Sequence, residues 1–176
     1  MALIERISSV EQLTQWPGEV PLDYLYTVGV AGERFFRALK EQGKLFGAHC
    51  PKCDLTYVPP RLYCERCFAA LDEWRELSGR GTIHTFTIAY VGLDGRKLEP
   101  PEIYAFVELD GAHGGLVHRI GEIEPRKVWI GLEVEPVLKP QKDRTGSITD
   151  ILYFRPIQLP AGLMDSVGLI REDRNR

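Results

Sequence analysis

Four cysteines within 18 residues carry the clearest chemical signal of the sequence. They form two pairs of identical internal spacing, Cys50-Pro51-Lys52-Cys53 and Cys64-Glu65-Arg66-Cys67, and ten residues separate the pairs. Two residues between cysteines let both thiolates of a tight turn face one point about 2.3 Å away, and two such turns complete a tetrahedron. The spacing predicts a metal site whose ligands are Cys50, Cys53, Cys64 and Cys67.

Four thiolates leave a metal ion no open position for water. The predicted site is therefore structural, and the free energy of metal binding becomes free energy of folding. Zn²⁺ is the expected metal, although iron in a rubredoxin-like site would satisfy the same four ligands. Cysteines clustered in this way in an intracellular chain indicate metal binding rather than disulfides.

Ten residues, 54–63, connect the two cysteine pairs. This segment is too short to fold alone, so we predict a two-stranded ribbon in which Pro59-Pro60 keeps the chain extended. The ribbon would form a rigid platform beside the metal, where four polar side chains could meet an anionic ligand. These candidate binding residues are Lys52, Tyr57, Arg61 and Arg66. A solvated basic rim that binds nothing is the alternative.

The sequence indicates no catalytic residue. Every cysteine is assigned to the metal, and a metal-bound thiolate is a poor nucleophile for acyl attack. The glycine-rich segment 111–115 lacks the helix and the Lys-Ser/Thr of a phosphate loop, so we predict a turn there. Activity of the chain alone is not expected. The histidines are scattered, without a carboxylate or second histidine at a telling offset: His49, His84, His113 and His118.

Helical spacing of apolar side chains precedes the cysteines. Phe35 and Leu39 lie on one stripe and Gly43 is a natural stop, which predicts a helix over residues 32–42. Residues 1–30 repeat apolar side chains about every third position. They predict either a short helix packed on the rest of the chain or an arm that a partner orders.

Alternating patterns follow the cysteines. Segments rich in β-branched and aromatic residues are separated by turn formers, which predicts five strands. A small Greek-key barrel of the OB type suits five short antiparallel strands, because closure removes most exposed edges, and a small sandwich is the alternative. The predicted strands cover residues 82–91, 103–109, 116–120, 133–138 and 150–154.

These elements predict a mainly β chain in four parts. An N-terminal helical arm covers residues 1–44 and a rubredoxin-like zinc ribbon covers 45–77. A five-stranded OB-fold barrel follows over 78–158, and a C-terminal tail covers 159–176. Apolar side chains recur at helical spacing in the tail, so it is either a helix docked on the barrel or a segment that binds a partner.

Charge and hydropathy narrow the classes of function. The chain has 22 Lys and Arg against 25 Asp and Glu, which does not suit a polyanion-binding protein. Zinc ribbons and OB barrels both bind nucleic acid, so a nucleic-acid-binding module is the alternative function. The charge of the predicted barrel argues against this alternative, because residues 81–135 contain five Lys and Arg against nine Asp and Glu.

No stretch of the sequence approaches the roughly 20 apolar residues of a membrane span, so we predict a cytoplasmic protein.

Several motifs together resemble a known family. They are Ala31 to Lys40, Gly43 to Gly47, the cysteine pairs flanking Val58-Pro59-Pro60-Arg61, and Ser78 to Thr82. The combination resembles the acyl-CoA-associated family that joins a rubredoxin-like zinc ribbon to an OB-fold, long called domain of unknown function thirty-five. The resemblance covers roughly residues 31–156. Asp54 departs from the family pattern, in which glycine usually follows the second cysteine of the first pair. Asp tolerates left-handed backbone better than most residues, so the turn can still form.

The resemblance implies a non-catalytic subunit of a thiolase-type complex. Such a subunit helps to bind or channel an acyl-CoA, in degradative or biosynthetic metabolism, while its partner supplies the nucleophilic cysteine. A hetero-oligomer with a thiolase-type enzyme is therefore expected, with Zn²⁺ as structural metal, a CoA ester as ligand of the complex, and neither nucleic acid nor membrane as partner. An independent acyl-CoA or electron carrier is a third hypothesis.

Overall fold

The computed structural model describes residues 27–157, which form one α-helix and eight β-strands. Residues 1–26, most of the segment predicted as a short helix or a partner-ordered arm, lie outside the described residues, as does the predicted tail over 159–176. Three short 3₁₀ turns lie at Pro125–Lys127, Gln141–Asp143 and Ile148–Asp150. The elements are α1 (Gly29–Gln42), β1 (Leu45–Cys50), β2 (Leu55–Val58), β3 (Glu73–Leu77), β4 (Gly81–Val91), β5 (Lys97–Leu109), β6 (His113–Ile120), β7 (Glu133–Leu138) and β8 (Ile151–Pro156).

Helix α1 buries the predicted stripe and ends where the sequence indicates. Phe35 and Leu39 are buried, and Gly43 adopts φ 69° while its N–H donates to the Leu39 carbonyl at 3.1 Å. A left-handed glycine directly after the last turn is the usual helix stop. The helix begins at Gly29, three residues earlier than predicted. The periodic apolar side chains begin only after the helix has started, so the sequence pattern could not locate the first turn.

Strands β1, β2 and β3 form the ribbon. β1 lies between the other two and pairs antiparallel with both, through Cys50↔Leu55 and Ala48↔Trp74 among other pairs. The prediction of a two-stranded ribbon inside residues 54–63 is wrong, because only Leu55–Val58 is a strand there and its partner β1 ends at Cys50. Pro59 and Pro60 have no N–H to continue the ladder.

The remaining five strands are those that the alternating patterns predicted. β4, β5 and β6 pair antiparallel in sequence, β7 pairs with β4, and β8 pairs with β7. One parallel pair, Ile120 with Phe154, joins β8 back to β6. A mainly β chain with an N-terminal helix and five strands after the ribbon is therefore confirmed. β5 begins at Lys97, earlier than predicted, because Pro100-Pro101 reads as a break in a strand pattern.

A single buried cluster joins helix α1 to the five strands. Phe35 and Leu39 of α1 lie in the same cluster as Val107 of β5 and Phe154 of β8. The alternation predicted for β5 is present, since the residues of one face are buried: Ile103, Ala105, Val107 and Leu109. A shift of one residue in the register of β5 would move this whole set to the other face, so burial determines the register.

Two glycines of β6 permit a close approach of neighbouring strands, and the first of them lies where the ribbon joins the larger sheet. β2 pairs parallel with β6 through Tyr57↔His113 and Val58↔Gly114, which makes the eight strands continuous. A Cβ on Gly114 would lie 2.2 Å from the Val58 carbonyl oxygen. A Cβ on Gly115 would lie 2.0 Å from the Val107 carbonyl oxygen. The prediction of a turn over 111–115 is therefore wrong beyond Ala112, because these glycines permit a close approach of strands.

Asp150 organises the loop between β7 and β8. Its side chain is fully buried and accepts hydrogen bonds from the backbone N–H groups of Thr145, Gly146 and Ser147, at 2.7 to 3.2 Å. Burial alone would raise the pKa of Asp150, but these three donors and the Lys139 ammonium outweigh it and lower the pKa from its ordinary value. The ionised carboxylate therefore holds the loop in place.

We expect Asp150→Asn to lower the free energy of unfolding by about 2 to 3 kcal/mol at neutral pH, because the amide cannot accept all three N–H groups. A carboxyl with a lowered folded pKa stabilises the fold above its unfolded pKa of about 4, and loses that contribution as pH falls through the folded value. The free energy of unfolding of the native chain should therefore approach that of the variant as the solution becomes acidic. Urea denaturation between neutral and acidic pH measures this, with exposed Asp143→Asn as control. Parallel pH profiles for native chain and Asp150→Asn would contradict it.

Candidate metal centre

The four cysteine sulfurs converge at one end of the ribbon. All four Sγ atoms lie within 4.8 Å of one another, and those of Cys50 and Cys67 are 3.6 Å apart. A tetrahedron with metal–sulfur bonds of about 2.3 Å has sulfurs about 3.8 Å apart. Cys50 and Cys64 are fully buried, while Cys53 and Cys67 are half-buried. These residues fit a single metal ion with four thiolate ligands.

Two backbone turns present the two cysteine pairs. β1 ends at Cys50, so the strand delivers the first sulfur and the following turn delivers that of Cys53. The second pair lies in a short hairpin, where the Cys64 N–H donates to the Ala69 carbonyl and the Leu71 N–H donates to the Leu62 carbonyl, each at 2.9 Å. The backbone turns alone therefore bring the two cysteines of each pair close together.

A left-handed residue follows each cysteine pair. Asp54 has φ 52° and Phe68 has φ 57°, at equivalent positions after the second cysteine of each turn. The sequence predicted this strain for Asp54 only. Left-handed backbone costs an ordinary side chain about 1 to 2 kcal/mol, and Phe lacks the short polar group that relieves this cost in Asp. The equal spacing of the two pairs is the signal that would have identified Phe68.

Tyr57 supports the metal centre from inside the ribbon. Its side chain is fully buried, and its hydroxyl lies 3.3 Å from the Cys64 sulfur. This hydrogen bond is the main cause that lowers the pKa of Cys64 to about 6 and raises that of Tyr57 to about 12. The neighbouring Cys67 thiol, and then burial, raise the pKa of Cys53 to about 12. Tyr57 thus favours the thiolate form of Cys64, which is the form that binds metal.

The four candidate anion-binding residues do not share one surface. Lys52 and Arg66 are exposed within the two cysteine turns. Arg61 is also exposed, and its guanidinium lies 5.1 Å from the centre of the Tyr57 ring and pairs with Glu65. Tyr57 itself lies beneath this surface, because its ring is needed in the small core of the ribbon. Anion binding by the remaining three residues stays a prediction.

His113 ties the second cysteine turn to β6. Its Nε2 atom lies 3.3 Å from a Glu65 carboxylate oxygen, and its ring meets the Tyr57 ring edge-on at 5.6 Å between centres. Arg61 chiefly, with His113, keeps the pKa of Glu65 below its ordinary value. Spacing along the chain gave no sign of this contact, because it depends on the parallel pairing of β2 with β6.

A cavity of about 550 Å³ opens beside the ribbon. Its walls are mostly apolar and come from the start of α1, the segment after β2, and β6, with Arg61 among its lining residues. The sequence patterns did not predict this cavity, because it forms between elements distant along the chain. Its other principal lining residues are Val30, Phe35, Pro60, Leu62, Leu116 and Ile148. Among residues 27–157, no helix is long and apolar enough to cross a membrane.

The four-cysteine ribbon and the five strands after it define a zinc-ribbon and OB-fold protein. Residues 37–73 match the rubredoxin-like zinc ribbon domain of ChsH2, and residues 74–139 match the C-terminal OB-fold domain of ChsH2. The chain belongs to the DUF35 family. A DUF35 domain-containing scaffold protein of Methanocaldococcus jannaschii is 32% identical over 129 residues, which cover 71% of this chain and 90% of the relative. Its counterpart in Pyrococcus furiosus is 30% identical over 126 residues, 70% of this chain and 91% of the relative.

Solved structures agree with this assignment. A DUF35 protein of unknown function from Sulfolobus solfataricus superposes with a TM-score of 0.55 at 28% identity, covering 73% of this chain and 84% of that one. The Ltp2-ChsH2(DUF35) aldolase gives a TM-score of 0.54 at 27% identity, covering 70% and 91%. The predicted family, ribbon and OB-fold are confirmed. The relatives are named scaffold proteins, and the aldolase is named for two components.

We expect Cys64→Ser to lose its bound metal and the cooperative folding of the ribbon, because three thiolates cannot close the tetrahedral shell. Metal content should fall from about one ion per chain to near zero, as measured by mass spectrometry of metals after gel filtration. Ala70→Ser places the same side chain at an exposed site in the same hairpin and serves as control. Full metal content and an unchanged Tm in Cys64→Ser would refute the ligand assignment.

Tyr57→Phe should weaken metal binding about 10- to 100-fold, because it removes the hydroxyl that contacts Cys64 and leaves the ring in place. Competition with a chromogenic chelator measures the affinity. Tyr63→Phe removes a hydroxyl from an exposed ring of the same ribbon and should change nothing. Equal affinities in the two variants would show that the Tyr57 hydroxyl does not support the centre.

Proposed function

We propose that this chain is a non-catalytic scaffold subunit that associates with a thiolase-type enzyme and helps to bind an acyl-CoA. The observation that carries the proposal is the likeness to the Ltp2-ChsH2(DUF35) aldolase, at 27% identity over 91% of that chain. The scaffold naming of the archaeal relatives agrees with an assembly role. A scaffold needs rigid elements and a surface for its partner, and the metal-centred ribbon supplies both.

Zn²⁺ is the metal proposed for the four-cysteine site. Its tetrahedral preference and its affinity for thiolate suit four sulfurs within 4.8 Å of one another. Bound there, zinc would supply structural stability, since the four ligands leave no position for substrate. Cys50, Cys53, Cys64 and Cys67 would hold it, and Tyr57 would orient Cys64.

The basic residues of the ribbon and the cavity beside it offer the two kinds of surface that a CoA ester requires. Phosphates require cationic groups, whereas the pantetheine and acyl chain require apolar walls. Arg61 lies at an apolar cavity of about 550 Å³. Lys52 and Arg66 are exposed on the same ribbon, and within the described part of the chain neither forms an ion pair. We assign phosphate binding to Lys52, Arg61 and Arg66, and the apolar chain to the cavity.

The partner enzyme would supply the chemistry. All four cysteines of the chain lie in the metal cluster, so no thiol is free to attack a thioester. Thioester chemistry in this proposal therefore takes place on a nucleophile of the thiolase-type subunit. The role of this chain is to hold the CoA ester and to maintain the assembly.

Co-expression with a thiolase-type enzyme of the same organism tests both parts of the proposal. We expect the two proteins to copurify, and acetyl-CoA to bind the complex in calorimetry. The double change Lys52→Glu and Arg66→Glu should weaken that binding about tenfold or more, because it reverses two phosphate-facing charges. The matched control reverses two exposed charges at the distant β4–β5 turn, Arg96→Glu and Lys97→Glu.

Three results would count against the proposal. A thiolase-type enzyme that is fully active and monodisperse without this chain would remove the scaffold role. Equal acetyl-CoA affinity in both double variants would contradict the assignment of phosphate binding to Lys52 and Arg66. Salt-dependent binding of single-stranded oligonucleotides by the purified chain would instead support the nucleic-acid-binding alternative.

A further inference from the structure

One edge of β4 has no hydrogen-bonded neighbour over most of its length. β5 pairs along the first edge from Gly81 to Val91, whereas β7 pairs along the second edge only at Gly81 and Thr82. Ile83 makes the last backbone contacts on that side, with Leu132 and Gly131 at 2.9 and 2.8 Å. Within residues 27–157, the second edge therefore presents unpaired backbone from residue 84 to residue 91.

Over residues 85–89 this edge lacks the features that usually prevent strands from pairing between molecules. Charged side chains, prolines and bulges are the common protections. Residues 85–91 contain neither a charge nor a proline. The register with β5 is interrupted between Ile83 and Thr85 and again between Ala89 and Val91, so the interruptions flank the five residues 85–89 without breaking them. Five regular residues are close to the average length of a strand.

Apolar side chains continue from this edge to the tip of the β4–β5 hairpin. Tyr90 and Val91 are more than half exposed, and Leu93 at the turn is fully exposed. Scattered apolar residues are ordinary on a surface, but here three lie within four residues at the end of an open edge. A partner strand along β4 would bring apolar surface next to them.

We propose that a second copy of this chain pairs with β4 through the same edge, antiparallel and about a two-fold axis at Thr87. Each Phe86 then faces Ile88 of the other copy, on the face where both side chains already pack against the core. The two Thr87 side chains face each other on the opposite face. Aromatic–aliphatic and Thr–Thr pairs are favourable across antiparallel strands.

Self-complementarity is the reason to favour a second copy over another protein. A two-fold interface places each residue against its own symmetry partner or near it, so a charge close to the axis would meet a like charge. The uncharged run 85–91 avoids that repulsion. The inference does not depend on the proposed function, because the ribbon and its cavity lie on other strands and stay available to an enzyme partner.

Sedimentation of the full purified chain over a wide range of concentration tests the pairing. We expect a reversible dimer of twice the 20.0 kDa chain mass. Thr87→Lys should raise the dimer dissociation constant about tenfold or more, because two ammonium groups meet at the axis. Thr87→Val keeps a neutral β-branched residue at the same exposed position and should dimerise like the native chain. Unchanged metal content and Tm confirm that both variants fold.

Cross-linking gives an independent measurement. Directly opposed residues of antiparallel strands have Cα atoms about 4.5 to 5.5 Å apart, which a disulfide can span. Mild oxidation should therefore convert Thr87→Cys to a covalent dimer. Tyr104→Cys is the matched control, because residue 104 pairs with Thr87 but lies on β5, which has a neighbour on both edges.

Four outcomes would overturn the inference. They are a full chain that stays monomeric, a dimer that Thr87→Lys does not weaken, equal cross-linking of the Thr87→Cys and Tyr104→Cys variants, and a chain that dimerises only after removal of residues 158–176. The last outcome would assign the edge to the tail of the same chain. Loss of a copurifying enzyme in Thr87→Lys, from a chain that is monomeric alone, would assign the edge to that enzyme.

Discussion

Convergence of four sulfurs on one point is the constraint on which the ribbon depends. The buried cluster of the ribbon is small, and two of its five fully buried members are themselves cysteines: Ala48, Cys50, Tyr57, Cys64 and Leu71. A core of this size cannot offset the conformational entropy of some thirty ordered residues. Leu45 and Val58 of the ribbon are buried in the cluster of the larger sheet and supply part of the difference. Metal binding at the proposed site would supply the rest.

Contact between ribbon and sheet rests on backbone as much as on side chains. β2 continues the sheet through a parallel pair with β6, and glycine at 114 lets the Val58 carbonyl oxygen approach where a Cβ would collide. Such a junction is stiff, because strand hydrogen bonds replace a flexible linker. The four-cysteine ribbon and the five strands after it are therefore joined both by strand pairing and by a shared buried cluster.

Local patterns in the sequence were sufficient for the convergence of the four cysteines and for most of the strands. Cysteine spacing needs no tertiary information, and the strand at Glu133–Leu138 agrees with its predicted bounds. Features that depend on distant partners could not be predicted in this way. Tyr57 looked like a surface group because its burial depends on Cys64 and His113, and Gly114 looked like a turn because its neighbour Val58 is 56 residues away in sequence. Asp150 looked like the first residue of a strand, although its carboxylate organises a loop.

The Tyr57 ring connects two sites that are otherwise separate. Its hydroxyl lies 3.3 Å from the Cys64 sulfur, while the guanidinium of Arg61, a residue of the cavity wall, lies 5.1 Å from the ring centre. A shift of the sulfur cluster would therefore reach, through the ring, a cation in the lining of the cavity. In the proposed function, the affinity for the metal ion and the affinity for the CoA ester would consequently depend on each other.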